Sequence, residues 1–206
     1  MARQIVPPSF LFRYRFPVTH RPSLPRAKAP LLKLPRTCTL PVPGSLDGFK
    51  TFAELRAAWN AAGLGISIEV RGKKRPTVRS SENFESSDQV QLWIDTRNTQ
   101  SIHHASRYCH RFVLFPTGTG LRGDEPEIIQ SDVARARDDA PRAKAGAYRI
   151  DRQELKGGYR LEAWFGSESL FGFDPEVSPA LGFYYRVHDT ELGDQFLSAD
   201  SNFPVE

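Results

Sequence analysis

Apolar and polar residues alternate with period two in several short runs along the chain. In "LGISIEV", Leu64, Ile66, Ile68 and Val70 share a face. In "DQVQLWID", Val90, Leu92 and Ile94 face one way and Gln89, Gln91, Trp93 and Asp95 the other. In "YRLEAWF", Tyr159, Leu161, Ala163 and Phe165 stand opposite Arg160, Glu162 and Trp164. Successive side chains of a strand point to opposite faces, so each run predicts a strand with one buried face. "RYCHRFVLFP", ended by Pro116, "LGFYYRVHD" and "DQFLSA" continue the series. "TFAELRAAWN" fits helical spacing through Phe52, Leu55 and Trp59, and strand alternation through Ala53, Leu55, Ala57 and Trp59. The short "NAAG" after it, with Gly63, favours a hairpin into the next strand. "SESLFG" predicts one helical turn with Ser167 as its cap. "RGKKRPTVRSSENFESS" reads as a polar loop and "TGTGLRGDEPE" as a hairpin loop. Short alternating strands with turn signals and few helix caps predict an all-β fold. The expected architecture is an antiparallel β-sandwich, a jelly-roll or immunoglobulin-like pair of sheets.

Residues 1–46 depart from this pattern. They hold nine of the 16 prolines, which block helix and central strand alike. Only "SFLFRYRF" reads as structure, with Phe10, Phe12, Tyr14 and Phe16 in alternation. The expected organisation is an arm, 1–46, that adds one strand and wraps a sandwich domain, 47–206. The arm carries eight Lys or Arg and no acid. Of the chain's 28 basic and 24 acidic residues, 20 and 24 remain for the rest. The arm is therefore +8 and the domain −4, and the basic balance belongs to the arm. That argues against a nucleic-acid surface on the domain, which needs basic residues clustered on one face. It leaves an acidic protein partner as an alternative role for the arm. No apolar run approaches the roughly 18 residues of a membrane helix. The N-terminal apolar run is broken by Arg13 and Arg15, so it does not read as a signal peptide. A cytoplasmic, non-membrane protein with Cys38 and Cys109 as free thiols is the expectation.

The densest chemistry lies in "SIHHASRYCH", with three of five histidines and one of two cysteines. Zinc needs its ligands to converge on one point. Neighbours on a strand point apart, so Cys109 and His110 cannot both reach one metal, nor pair as nucleophile and base. Tyr108, His110, Phe112 and Leu114 share one face; Cys109, Arg111, Val113 and Phe115 share the other. Both faces mix polar and apolar residues, and the sequence leaves open which is buried. A polar ligand site is the stronger reading. Sugar recognition needs a flat apolar ring surface and planar polar groups. Trp93, Asp95, Arg97, Asn98, His103, His104 and Arg107 supply both within 15 residues, and Trp164 lies opposite its own aliphatic face like Trp93. The bland alternative is that both tryptophans are buried and Asp95 pairs with Arg97 or Arg107. No spacing pairs two carboxylates as a glycosidase requires. The Asp-rich "HDTELGD" offers clustered oxygens of the kind calcium takes, without the spacing of a calcium loop. No catalytic residue, cofactor or resident metal is expected.

Four pieces together resemble the family 9 carbohydrate-binding module: "AAWNAAGLGISIEV", "SSDQVQLWIDTRN", "GGYRLEAWFGSESL" and "LGFYYRVHDTELG". They cover roughly residues 50–195. The resemblance implies a non-enzymatic sandwich that binds a sugar or small polar ligand. Related sandwiches include haem-binding domains, so a metal- or haem-binding protein using the histidines is an alternative. The basic arm and "SIHHASRYCHRF" lie outside the family pattern.

Overall fold

The computed structural model describes residues 15–42, 50–80, 83–99 and 104–197. Within them the strands are β1 (Thr19–His20), β2 (Ala53–Asn60), β3 (Gly63–Arg71), β4 (Gln89–Asp95), β5 (Cys109–Thr119), β6 (Glu125–Ser131), β7 (Tyr148–Leu155), β8 (Gly158–Gly166), β9 (Gly182–Asp189) and β10 (Gly193–Phe196). They form two five-stranded sheets, β1-β2-β3-β8-β7 and β10-β9-β4-β5-β6. All pairings are antiparallel except β1 with β2. The chain is an all-β sandwich.

The aliphatic faces read from the sequence meet between the sheets. Leu55, Ile66, Ile68, Leu161 and Phe165 from the first sheet pack over Leu92, Ile94, Phe112, Leu114 and Tyr185 from the second. Full burial of one such side chain contributes about 1.5–3 kcal/mol. "TFAELRAAWN" is a strand, and it turns into β3 through Ala61–Ala62. A Cβ at Gly63 would lie 2.2 Å from the Phe165 carbonyl oxygen, so only glycine fits where β3 meets β8.

The described part of the arm lies across the outer face of the first sheet. Leu24, Leu31, Leu32, Leu34 and Cys38 form a second apolar cluster with Ala58 and Trp164. Polar groups clamp it down. Glu162, buried, accepts the backbone N–H of Leu32 at 2.7 Å and of Lys33 at 2.9 Å. Arg56 donates to the Leu34 carbonyl at 2.7 Å, and Asn60 to the Leu24 carbonyl at 2.7 Å. Trp59 Nε1 donates to the Val18 carbonyl at 3.0 Å.

Several expectations change. Most of "SFLFRYRF" lies outside the described residues; among the described residues of the arm, Arg15 and Phe16 are not in a strand and Thr19–His20 is. β5 does not stop at Pro116. A register shift between Phe115 and Thr119 takes Pro116 out of the ladder, so its missing N–H is not needed. Ser167 opens the turn Ser167–Ser169 rather than capping it. The edge strands β6 and β7 have no counterpart in the sequence reading. Both are mostly half-exposed, so the alternation that marks a buried face is weak there.

Candidate functional site

The outer face of the second sheet is where the polar half of "DQVQLWID" emerges. Strand register sets Tyr184, Trp93, Arg111 and Ser131 side by side across β9, β4, β5 and β6. The Trp93 and Tyr184 rings lie 5.6 Å apart, tilted by 59°. The Arg111 guanidinium stands 5.4 Å from the Trp93 ring. A ladder of amides holds it there. Arg111 Nη2 donates to Gln91 Oε1 at 3.0 Å, Gln91 Nε2 to Gln89 Oε1 at 3.2 Å, and Gln89 Nε2 to the Phe84 carbonyl at 2.7 Å. Burial pulls the Arg111 pKa below its ordinary value; Glu85 opposes this and Arg186 adds to it.

Beside this row, where β4 ends and β5 and β9 begin, a cleft of about 310 Å³ opens. Trp93, Asp95, Thr99, His104, Cys109 and Tyr184 are among its lining residues. Asp95 shapes its rim. Its carboxylate accepts the N–H of Arg97 at 3.0 Å and of Thr99 at 2.7 Å, closing the turn in which Asn98 takes a φ of 48°. Asparagine tolerates that left-handed backbone better than most residues. Burial raises the Cys109 thiol above its ordinary pKa; a backbone hydrogen bond at Ser106 opposes this and Asp95 adds to it.

Of the residues singled out in the sequence, Trp93, Asp95 and His104 come together at this cleft. Arg97 turns away: its guanidinium lies 5.3 Å from the Tyr108 ring and donates to Ser178 Oγ at 3.3 Å. Asp95 engages the Arg97 backbone and not its guanidinium. Asn98 is in the turn, Arg107 is exposed outside the lining, and His103 lies outside the described residues. Trp164 does not join them. It sits on the first sheet, 5% exposed, beneath the arm. The arm's leucines cover the face that the alternation of β8 turns outward, so the sequence had no signal that Trp164 was covered. Tyr184, which the sequence reading did not select, is brought to Trp93 by register alone.

His110 occupies the core face of β5 and Cys109 the outer face. His110 is fully buried, with Nε2 3.2 Å from the Phe171 carbonyl, and burial lowers its pKa. Among the described residues no group of three His, Cys, Asp or Glu side chains is placed to hold a metal. No helix among them is long and apolar enough to cross a membrane.

A second polar centre lies at the far end of β4, inside a loop that reads as merely polar. Lys73 Nζ bridges Asp88 Oδ2 at 2.9 Å and Asp189 Oδ2 at 2.6 Å, and all three side chains are at most 3% exposed. Asp88 also accepts from Val78 N, Thr190 N and Thr190 Oγ1; Asp189 Oδ1 accepts from Glu191 N and Leu192 N. Burial raises the Asp88 pKa, but the Thr190 and Lys73 hydrogen bonds outweigh it and the net shift is downward. Burial likewise works against the Lys73 ammonium, and the two aspartates outweigh it, so its pKa is raised. In the Asp-rich "HDTELGD", Asp189 thus faces an ammonium.

Neither a family model nor a curated protein matches the sequence. The fold is similar to two structures of a carbohydrate binding module family 9 from Caldicellulosiruptor kristjanssonii. The one in complex with cellotriose is 15% identical, with 70% of this chain and 62% of that chain covered and a TM-score of 0.44. The one in complex with glucose is 14% identical, with 70% and 65% covered and a TM-score of 0.46. This chain thus spans a little under two thirds of either structure.

Proposed function

We propose that this sandwich is a non-catalytic binding domain that takes a sugar or similar hydroxylated ligand in the cleft beside Trp93. The observation that carries the reading is the half-buried Trp93–Tyr184 pair at the mouth of a cleft rimmed by Asp95, Thr99 and His104. Aromatic faces offer an apolar surface to the C–H face of a pyranose, and the rim offers carboxylate, hydroxyl and imidazole groups for its hydroxyls. The described groups at the cleft do not form a catalytic set. Burial holds its thiol above the ordinary pKa, and among the described lining residues Asp95 is the single carboxylate.

The test is a calorimetric and melting screen against mono- and oligosaccharides, read beside tryptophan fluorescence. A binding sugar raises the melting temperature and perturbs emission, and Trp93→Ala removes both effects while the protein stays folded. Sugar binding that survives Trp93→Ala, or no sugar binding at all, would sink the proposal.

A further inference from the structure

Two buried polar atoms in the Tyr184–Trp93–Arg111–Ser131 row have no hydrogen-bond partner among the described residues: Arg111 Nε and Ser131 Oγ. They are cross-strand neighbours, since Arg111 stands opposite Ser131 in the β5–β6 register. The Arg111 guanidinium has one hydrogen bond, to the neutral amide of Gln91, and no ion pair among the described residues. Another guanidinium on this face differs. Arg186 pairs with Asp194 at 2.9 Å and Glu85 at 3.2 Å. A half-buried cation normally has a carboxylate, because burial removes water from the charge without replacing it. Among the described residues, the position beside the aromatic pair has the cation and no anion.

From this we infer that the ligand supplies the missing anion: the site takes a sugar bearing a carboxylate, a hexuronate, whose carboxylate meets Arg111 and Ser131 while its ring lies against Trp93 and Tyr184. The inference rests on the sugar-binding reading above and adds the charge class of the sugar. A carboxylate suits the position because a guanidinium presents N–H groups in a planar fork that a carboxylate matches, and a serine hydroxyl adds one donor. The amide ladder from Phe84 to Arg111 fixes the fork before the ligand arrives, which limits the ordering lost on binding.

The experiment is isothermal titration of the full chain with glucuronate and galacturonate, and with glucose and galactose as neutral counterparts. It is run at low salt and at about 0.3 M salt, where the Debye length is only several ångströms. The expected result is about tenfold tighter binding of a uronate than of its neutral counterpart, the order of a charged hydrogen bond. That preference narrows with salt, disappears in Arg111→Gln and is partly kept in Arg111→Lys. The melting temperature of each variant is measured alongside. If Arg111→Gln does not fold, Ser131→Ala, which keeps the charge, must narrow the preference. Neutral sugars binding as tightly as uronates would overturn this inference and leave the sugar reading standing. A uronate preference that persists in Arg111→Gln would overturn the assignment to this arginine. If neither class binds, both readings fall.

Discussion

Replacing Lys73 with methionine keeps most of the side-chain volume and removes the ammonium between Asp88 and Asp189. Both aspartate side chains are fully buried, so water cannot replace the lost partner. Removing one member of a buried ion pair typically costs about 3–5 kcal/mol. The stability of a whole domain is about 5–15 kcal/mol. Lys73→Met should therefore move the urea midpoint by a large fraction of its value, read by tryptophan fluorescence and circular dichroism. The pH dependence gives an independent sign. In the native chain the Asp88 pKa is depressed. Its stabilisation is present above the unfolded aspartate value, about 3.9, and is lost as pH falls through the folded value. Lys73 contributes in the opposite range: its folded pKa is raised, so its stabilisation holds below about 10.4 and is lost as pH rises through the folded value. In Lys73→Met the two carboxylates repel, one takes up a proton on folding, and the variant gains stability as pH falls from neutrality toward about 5. Adding Asp189→Asn should recover part of the loss, because it removes the unpaired charge. A Lys73→Met protein within about 0.5 kcal/mol of the native chain, the scatter of an ordinary surface substitution, would refute the reasoning.

Glu162→Ala should cost about 2–3 kcal/mol by orphaning the N–H groups of Leu32 and Lys33, and urea unfolding measures it. It should also speed thiol labelling of Cys38, which lies under the same part of the arm. Gly63→Ala should destabilise by about 2 kcal/mol or more, since its Cβ would strike the Phe165 carbonyl; an unchanged melting temperature would contradict that packing. His110 and His188 should titrate on opposite sides of the ordinary histidine value in an NMR pH series. Burial lowers the pKa of His110, and Asp194 raises that of His188. Their linkages oppose: His110 makes stability fall as pH drops below about 6.5, and His188 makes it fall as pH rises from about 6.5 through its own raised value. His110→Phe should leave only the His188 slope.

The strands that line the core were legible because each has one apolar face. Ile66, Ile68, Leu92 and Leu161 are all buried where alternation put them. The β5 strand was not decidable in the same way. Its two faces differ little in composition, and only pairing with β4 and β6 sends His110 inward and Cys109 out. Trp93 and Trp164 looked equivalent, each opposite an aliphatic face. They lie on different sheets, one at an open cleft and one under the arm, and that difference arises from residues more than a hundred positions apart. The Lys73 centre was invisible for a related reason. Lys73 sits among turn-forming residues, and its partner Asp189 is 116 residues away. Local pattern reports which face of a strand is apolar, and long-range register decides what covers the other.

Asp88 and Asp95 bracket β4, and they stand seven residues apart. Seven is odd, so on an extended strand their side chains leave from opposite faces. One reaches inward to the Lys73 ammonium and the other lies at the rim of the cleft. The interval works as a gauge. Inserting or deleting a single residue between them would bring both carboxylates to the same side, either stranding a charge in the interior or emptying the rim. The strand's length is thereby fixed to the residue, while the exposed β5–β6 hairpin tip has no such constraint. Chains that share this arrangement should hold the spacing of "DQVQLWID" constant.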